Sequence, residues 1–318
     1  MRVFVTGATG LVGSNVVKVA AEKYGAEVIA TIYRTKPVKS LPCITEPVDI
    51  TDKQTVSQSI KKYDPDVVIH SAALVDAAFL EKNHDIGWKI FVEGTENIAK
   101  ICQETKTKLI FVSTDWIFSG LNPPYKEDSV PCPVNYYGIL KVVGETTVRL
   151  ICEDYAIGRL AGVYGVNRGI PTQVPEKPYG FGSLPNYFLN KFQARQTISE
   201  WADYVNIKAN PTLASDAADA LLGIYTQNHK GIFHCCGREC ITRVELAKKV
   251  AKIFGFDEGL INASFRDRTD FREWVGEDLH LPKETCLDTT GTERKLGRKN
   301  LGIEEGLIQF KDELEQNR

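Results

Sequence analysis

The chain has 318 residues, with 39 Lys+Arg against 41 Asp+Glu, a formal charge of −2 and 43% hydrophobic residues. The balanced charge leaves no basic tract for nucleic acid or an anionic membrane surface, and no apolar stretch approaches the roughly 20 residues of a membrane span. A small molecule is the better partner, and the length suits an α/β core that carries a smaller lobe.

Arg2-Val3-Phe4-Val5-Thr6 reads as a strand, and Gly7-Ala8-Thr9-Gly10-Leu11-Val12-Gly13 follows it at once and opens a helix through Ser14 to Ala21. Strand, glycine turn and helix in that order aim free backbone N–H groups and the helix dipole at one point, which suits the pyrophosphate of a dinucleotide. Gly7 would make the tight turn, Gly10 the close approach of the phosphates and Gly13 the packing of helix on sheet, with Thr9, Leu11 and Val12 beside them. The spacing is G-x-x-G-x-x-G, not the commoner G-x-G-x-x-G, so position carries more of this argument than pattern.

Glu27 to Ile32 is the second strand and runs into Tyr33-Arg34-Thr35-Lys36. An acidic residue there would hold a free ribose 2′-hydroxyl; Arg34, with Lys36 as a lesser contributor, suits a 2′-phosphate instead, so NADP is favoured and NAD stays open. Val48-Asp49-Ile50 is expected to close the third strand, where Asp49 either reaches an adenine amino group or caps the helix that begins at Thr51-Asp52. Asp66 to Ala73 reads as a buried parallel strand ending in Ser71, Ala72 and Ala73, small residues against which a dinucleotide backbone can lie. His70 within it is expected to be a hydrogen-bonded core residue.

A helix follows through Trp88, Phe91, Gly94, Asn97 and Ile98, then the strand Lys108 to Val112 with Ser113-Thr114-Asp115 at its carboxyl end, the edge where open α/β sheets bind ligands. Beyond a proline-rich loop a helix begins near Asn135 and carries Tyr137 and Lys141. Four residues apart, they share a helix face, so the ammonium is expected to approach the phenol and lower its pKa, fitting Tyr137 for proton transfer at neutral pH. Ser113 or Thr114 would hold the substrate carbonyl.

The stretches 6–13, 113–120, 124–128, 133–138, Lys141 and 163–165 together resemble an extended short-chain dehydrogenase/reductase, and within it the dTDP-4-dehydrorhamnose reductase branch. Asn210-Pro211-Thr212, Asp216-Ala217-Ala218, Gly231-Ile232-Phe233-His234 and Leu287-Asp288-Thr289 carry the resemblance through most of the chain. It implies Tyr137 as acid, Lys141 as its partner and ribose ligand, and Ser113 or Thr114 as the carbonyl-holding hydroxyl. Two positions depart from the pattern. Phe91 stands where the superfamily often has the Asn of a proton relay, and Gly162 stands where the branch often has a Trp against which the sugar packs.

Beyond Gly165, Pro171, Pro175, Pro178 and Pro185 mark loops, and an aromatic helix is expected through Tyr187, Phe188, Phe192 and Trp201 as a substrate lid. The chain should return to the sheet near Tyr204 to Ala209 and leave after His234, with a further helix from Arg243 to Phe254. His234, Cys235, Cys236 and Cys240 fit no common zinc spacing, so no metal is expected. The eight cysteines lack the spacing of a disulfide framework and no charged-then-apolar leader precedes the first strand, which reads as a reduced, cytoplasmic protein.

The expected fold is a Rossmann-like, doubly wound parallel sheet with a smaller C-terminal substrate-binding lobe. Residues 1–165 and 204–235 would form the NADP domain, and 166–203 and 236–318 the substrate lobe. The expected function is NAD(P)H-dependent reduction of a nucleotide-activated 4-keto-6-deoxy sugar, with a homodimer compatible with it. A sugar-nucleotide epimerase or dehydratase, another ketone reductase, or a cofactor-binding regulatory subunit such as the methionine adenosyltransferase β subunit remain as alternatives. A dehydratase would carry an acid pair after the Ser-Thr position, whereas Asp115 is followed by Trp116.

Overall fold

The computed structural model describes residues 1–35, 41–171, 174–176, 178–203, 205–264 and 279–317. Within them seven strands form one sheet: β1 (Arg2–Thr6), β2 (Glu27–Ile32), β3 (Ile44–Pro47), β4 (Val67–His70), β5 (Lys108–Thr114), β6 (Tyr155–Leu160) and β7 (Gly231–His234). Every pairing is parallel, in the order β7-β6-β5-β4-β1-β2-β3. The order reverses between β1 and β4, so a crevice is expected beyond the carboxyl ends of those two strands.

The strands read as near-continuous apolar runs because both faces are covered. Successive side chains alternate between two cores. Val3, Val5, Val67, Ile69, Ile110 and Val112 pack on one side, and Phe4, Val68, Leu109 and Phe111 on the other. Helices α1 (Leu11–Glu22) and α8 (Ala214–Thr226) pack together over the first face; α2 (Lys53–Tyr63), α5 (Gly94–Thr105) and α6 (Tyr136–Ile151) cover the second. A third core lies among α7 (Leu184–Gln193), α9 (Arg243–Phe254) and the helix Ile303–Gln316.

Local chemistry explains the boundaries that matter to the site. Asp52 caps α2 by accepting from the Gln54 N–H, and Asn135 caps α6 by accepting from the Gly138 N–H at 2.8 Å, which fixes where Tyr137 emerges. Between α4 (His84–Trp88) and α5 a single π turn, Lys89–Glu93, carries Phe91 and turns its ring inward.

Several expectations are corrected. The third strand ends at Pro47, before Val48-Asp49-Ile50, and the fourth spans Val67–His70, so Ser71, Ala72 and Ala73 belong to the loop after it. The aromatic helix stops at Gln193, because Trp201 lies in a strand, Ile198–Trp201, paired with Ile261–Ser264. Lys208–Ala209 pairs with Ile241–Thr242 and not with the main sheet; Tyr204 and Lys36 lie outside the described residues. Cys240 and Cys286 form a disulfide with Cα atoms 5.5 Å apart, against the reading of wholly reduced thiols. The two lie 46 residues apart in sequence, and the strand pairing that brings them together has no local signature.

Candidate active site

The glycine turn is closely packed against its neighbours. Gly7 has φ +67, and a Cβ there would stand 2.7 Å from the Ala72 backbone; a Cβ on Gly13 would stand 2.3 Å from the Gly7 carbonyl oxygen. Only glycine lets helix and turn approach this closely. Gly10 is the N-cap of α1, so the N–H groups of Leu11, Val12 and Gly13 open the helix and point at the crevice. Beside them, Ser71 Oγ donates to the Thr6 carbonyl at 2.6 Å and the Ala72 N–H to Thr6 Oγ1 at 3.2 Å. Ala73 continues this loop, half-buried. A segment not anticipated from sequence covers the turn: Gly169 lies against the Thr9 backbone, and the Arg168 N–H donates to Ser14 Oγ at 3.1 Å.

At the far end Arg34 is exposed, its guanidinium 5.1 Å above the Tyr33 ring. Asp49 does not cap α2, a place Asp52 takes; its carboxylate accepts from the Thr51 N–H at 2.9 Å and the Thr51 hydroxyl at 2.8 Å. Burial pushes its pKa up, but hydrogen bonds from Thr51 and Tyr33 outweigh this and hold it below the ordinary carboxylate value. Ile50 is buried against Gly94, and its carbonyl accepts from Asn97 Nδ2.

The candidate catalytic side chains gather at the carboxyl terminus of β5. Thr114 is within hydrogen-bonding reach of the Tyr137 phenol, whereas Ser113 Oγ, also buried, has no partner among the described residues. The Lys141 ammonium, 4% exposed, donates to the Val112 carbonyl at 2.9 Å and lies 5.3 and 5.1 Å over the rings of Phe91 and Phe111. Burial lowers its pKa to about 8, an effect the Glu145 carboxylate partly opposes.

Tyr137 behaves differently from expectation. Its pKa is raised, by burial first and then by the charge of Asp115 and by Tyr179, while the Thr114 hydrogen bond opposes. The Lys141 ammonium is not among the groups that shift it; it donates to the Val112 carbonyl and lies over the rings of Phe91 and Phe111. Trp116 meets Tyr137 edge-on at 6.0 Å, and Tyr179 leans on Trp116 at 6.2 Å. Tyr179 Oη accepts from the Ala77 N–H at 3.2 Å, at the start of α3 (Ala77–Lys82), and its carbonyl is held by Arg243 and Asn206. No sequence motif marks Tyr179. Only the fold brings it here.

His70 is a core residue, with Nδ1 and Nε2 bonded to Thr6 and Thr95 hydroxyls and its pKa pushed down to about 3 by burial. His234 Nδ1 bonds the Asp288 carbonyl at 2.8 Å, and Cys235 and Cys236 are buried thiols with raised pKa values. Among the described residues no cluster of three or more His, Cys, Asp or Glu is placed to hold a metal, and no helix is long and apolar enough to cross a membrane.

Known proteins share this architecture. The chain matches the family model for the RmlD substrate binding domain over residues 1–315. It is 30% identical to the probable low-salt glycan biosynthesis reductase Agl14 of Haloferax volcanii, over 96% of each chain. It is also 30% identical to the methionine adenosyltransferase 2 subunit beta of Xenopus laevis, over 97% of this chain and 88% of that one. The crystal structure of the Bacillus anthracis dTDP-4-dehydrorhamnose reductase in complex with NADP superposes with a TM-score of 0.79 at 23% identity, covering 98% of both chains. A model match over nearly the whole length and a doubly wound sheet with its glycine turn agree: the chain belongs to the RmlD substrate binding domain family.

Proposed function

We propose that the chain is an NADP-dependent reductase of a nucleotide-activated 4-keto-6-deoxy sugar. The observation that carries this reading is the convergence of Thr114, Tyr137 and Lys141 at the end of β5, on the same sheet edge as the glycine turn. The turn fits a dinucleotide: Gly7 and Gly13 stand where any Cβ would collide, and the N-terminus of α1 opens beside them.

When bound, NADPH would supply the hydride. Tyr137, kept protonated at neutral pH by its raised pKa, donates a proton to the carbonyl oxygen. Thr114, or Ser113 from the adjacent position, holds that oxygen. Lys141 contributes a desolvated ammonium to the cofactor ribose, and Arg34 a cation to the 2′-phosphate, with Asp49 and Ile50 near the adenine. Residues 1–165 and 204–235 hold the cofactor and 166–203 with 236–318 the sugar, in a cytoplasmic enzyme compatible with a homodimer. The reductase name of the Haloferax relative and the NADP of the Bacillus structure support this choice, with NAD the alternative.

A regulatory role is the second reading, favoured by the equal 30% identity to the Xenopus β subunit. A panel of nucleotide 4-keto-6-deoxy sugars, with NADPH followed at its own absorbance, separates the readings. Net oxidation of NADPH establishes the reductase. Conversion of sugar without net oxidation establishes an epimerase. Tight NADPH binding with no conversion, and co-purification with another enzyme, establishes the regulatory subunit.

A further inference from the structure

The hydrogen bonds around Thr114 leave its hydroxyl fully committed. A threonine hydroxyl has one proton to give and two lone pairs to accept with. The proton goes to Asp115 Oδ1 at 3.1 Å; the Trp116 N–H donates to the oxygen at 3.3 Å, and the Tyr137 phenol lies against the same group. Nothing remains for a substrate carbonyl while Asp115 is a carboxylate.

Asp115 is 3% exposed, and its second oxygen, Oδ2, accepts from the Thr285 hydroxyl, which arrives from 170 residues downstream. Backbone pairing delivers it: the Lys283 N–H donates to Ser119 O at 3.1 Å and the Glu284 N–H to Gly120 O at 3.2 Å. While the Thr285 hydroxyl donates to Oδ2, a proton taken up by Asp115 sits on Oδ1, facing Thr114. That proton reverses the bond. Asp115 then donates to Thr114 Oγ1, and the Thr114 proton is freed to meet a carbonyl oxygen.

We propose that Asp115, set by Thr285, is a positioning residue for carbonyl reduction: its neutral form releases the Thr114 hydroxyl toward the substrate, and its carboxylate form ties it up. The inference rests on the reductase reading. In the step itself, hydride from NADPH goes to the carbonyl carbon, the Tyr137 proton goes to the oxygen, and Tyr137 recovers a proton from solvent.

Burial pushes the Asp115 pKa up to about 6, against the hydrogen bonds of Thr285 and Thr114. The titratable groups facing it are Tyr137 from α6 and the Cys236 thiol after β7, both with raised pKa values and both neutral across this range. The switch therefore lies close to physiological pH.

The test is the pH profile of kcat for NADPH oxidation with a dTDP-4-keto-6-deoxyhexose. The parent should gain about tenfold in kcat for each unit of falling pH above about 6 and level off below it. Asp115→Asn, neutral at every pH, should lose that limb while NADPH affinity stays within about twofold of the parent. Thr285→Val, which keeps volume and removes the bond that lowers the Asp115 pKa, should keep the limb and move it to higher pH. A merely structural role for either residue would lower activity equally at all pH values. If Asp115→Asn turned over but kept the parent limb, or Thr285→Val left it unmoved, the inference would fall and the reductase reading stand. If the parent oxidised NADPH with none of the keto sugars, the reading would fall and the inference with it.

Discussion

Lys141→Met separates a lysine kept for function from one kept for the fold. The ammonium is 4% exposed between Phe91 and Phe111, and burial takes its pKa from 10.5 to about 8. At about 1.4 kcal/mol per pKa unit, carrying that charge into the folded state costs roughly 3 kcal/mol at pH 7. Methionine fills similar space without charge, and its loss is the Val112 hydrogen bond, which offsets part of the gain. Urea denaturation at pH 7 should therefore find the variant more stable than the parent by about 1–3 kcal/mol. The sign with pH follows from linkage. Between about pH 8 and 10.5 the unfolded chain binds a proton at this site that the folded chain does not, so the parent gains stability as pH rises and the gap closes. Over the same comparison the variant should lose NADPH affinity and turnover. A variant less stable than the parent at pH 7, by a margin that does not change up to pH 10, would show that Lys141 holds the fold together and refute the reasoning.

Tyr137→Phe keeps the ring contacts with Phe91 and Trp116 and removes only the phenol oxygen, so NADPH should still bind while turnover falls about 10²- to 10⁴-fold. Turnover at the parent rate would make Tyr137 a packing residue. Arg34→Ala should weaken NADPH roughly tenfold to a hundredfold and NADH little, because the charge-assisted contact of about 1.5–3 kcal/mol is made only with the 2′-phosphate; equal losses in a fluorescence titration would exclude that role. Arg243→Met should destabilise by about 3–5 kcal/mol, since it strands the Glu200 carboxylate, bonded to Arg243 at 2.6 Å and almost fully buried. Arg243→Met with Glu200→Met should recover most of that loss in denaturant melts, and an unchanged midpoint in the single variant would contradict the structure.

The parts of the site legible in the sequence are those whose chemistry is local. The glycine turn could be read because Gly7, Gly10 and Gly13 stand between a strand and a helix, and the Tyr137–Lys141 pair because four residues bring two side chains onto one helix face. Strands β1, β2, β4 and β5 were legible as apolar runs, whereas β6, Tyr155–Leu160, was not read as a strand, and errors of a few residues fall at Val48–Ile50 and Ser71–Ala73. There the polarity pattern continues past the last ladder hydrogen bond, and pattern alone does not say where pairing stops. What sequence did not yield is the field around each group. The i, i+4 spacing to Lys141 implies a lowered Tyr137 pKa, but burial dominates and raises it, with Asp115 adding to the rise. Thr285, Tyr179, Arg243 and the Cys240–Cys286 bond all depend on pairings between distant segments, which carry no local pattern.

The two departures from the family pattern are linked by what fills the vacated space. At position 91 a ring replaces a polar side chain, and the π turn seats it against Lys141 and edge-on to Tyr137 at 5.9 Å, so the lysine faces hydrocarbon where a relay would bring water. At position 162 a glycine with φ +48 lies where a Cβ would stand 2.8 Å from Phe181 Cβ. No tryptophan fits there, and Phe181 occupies the room. The aromatic surface beside Tyr137 comes instead from Trp116, at the end of β5, and from Tyr179, two residues before Phe181. Arg243 couples these changes: its guanidinium lies 5.5 Å over Phe181 and holds the carbonyls of Pro178 and Tyr179 while Glu200 anchors it. One buried ion pair thus sets the position of the segment that supplies both the ring at 181 and the ring at 179. Selectivity among sugars should therefore follow substitutions along residues 178–181 and at Arg243 more closely than substitutions at position 162, where the backbone leaves no room for a side chain to act.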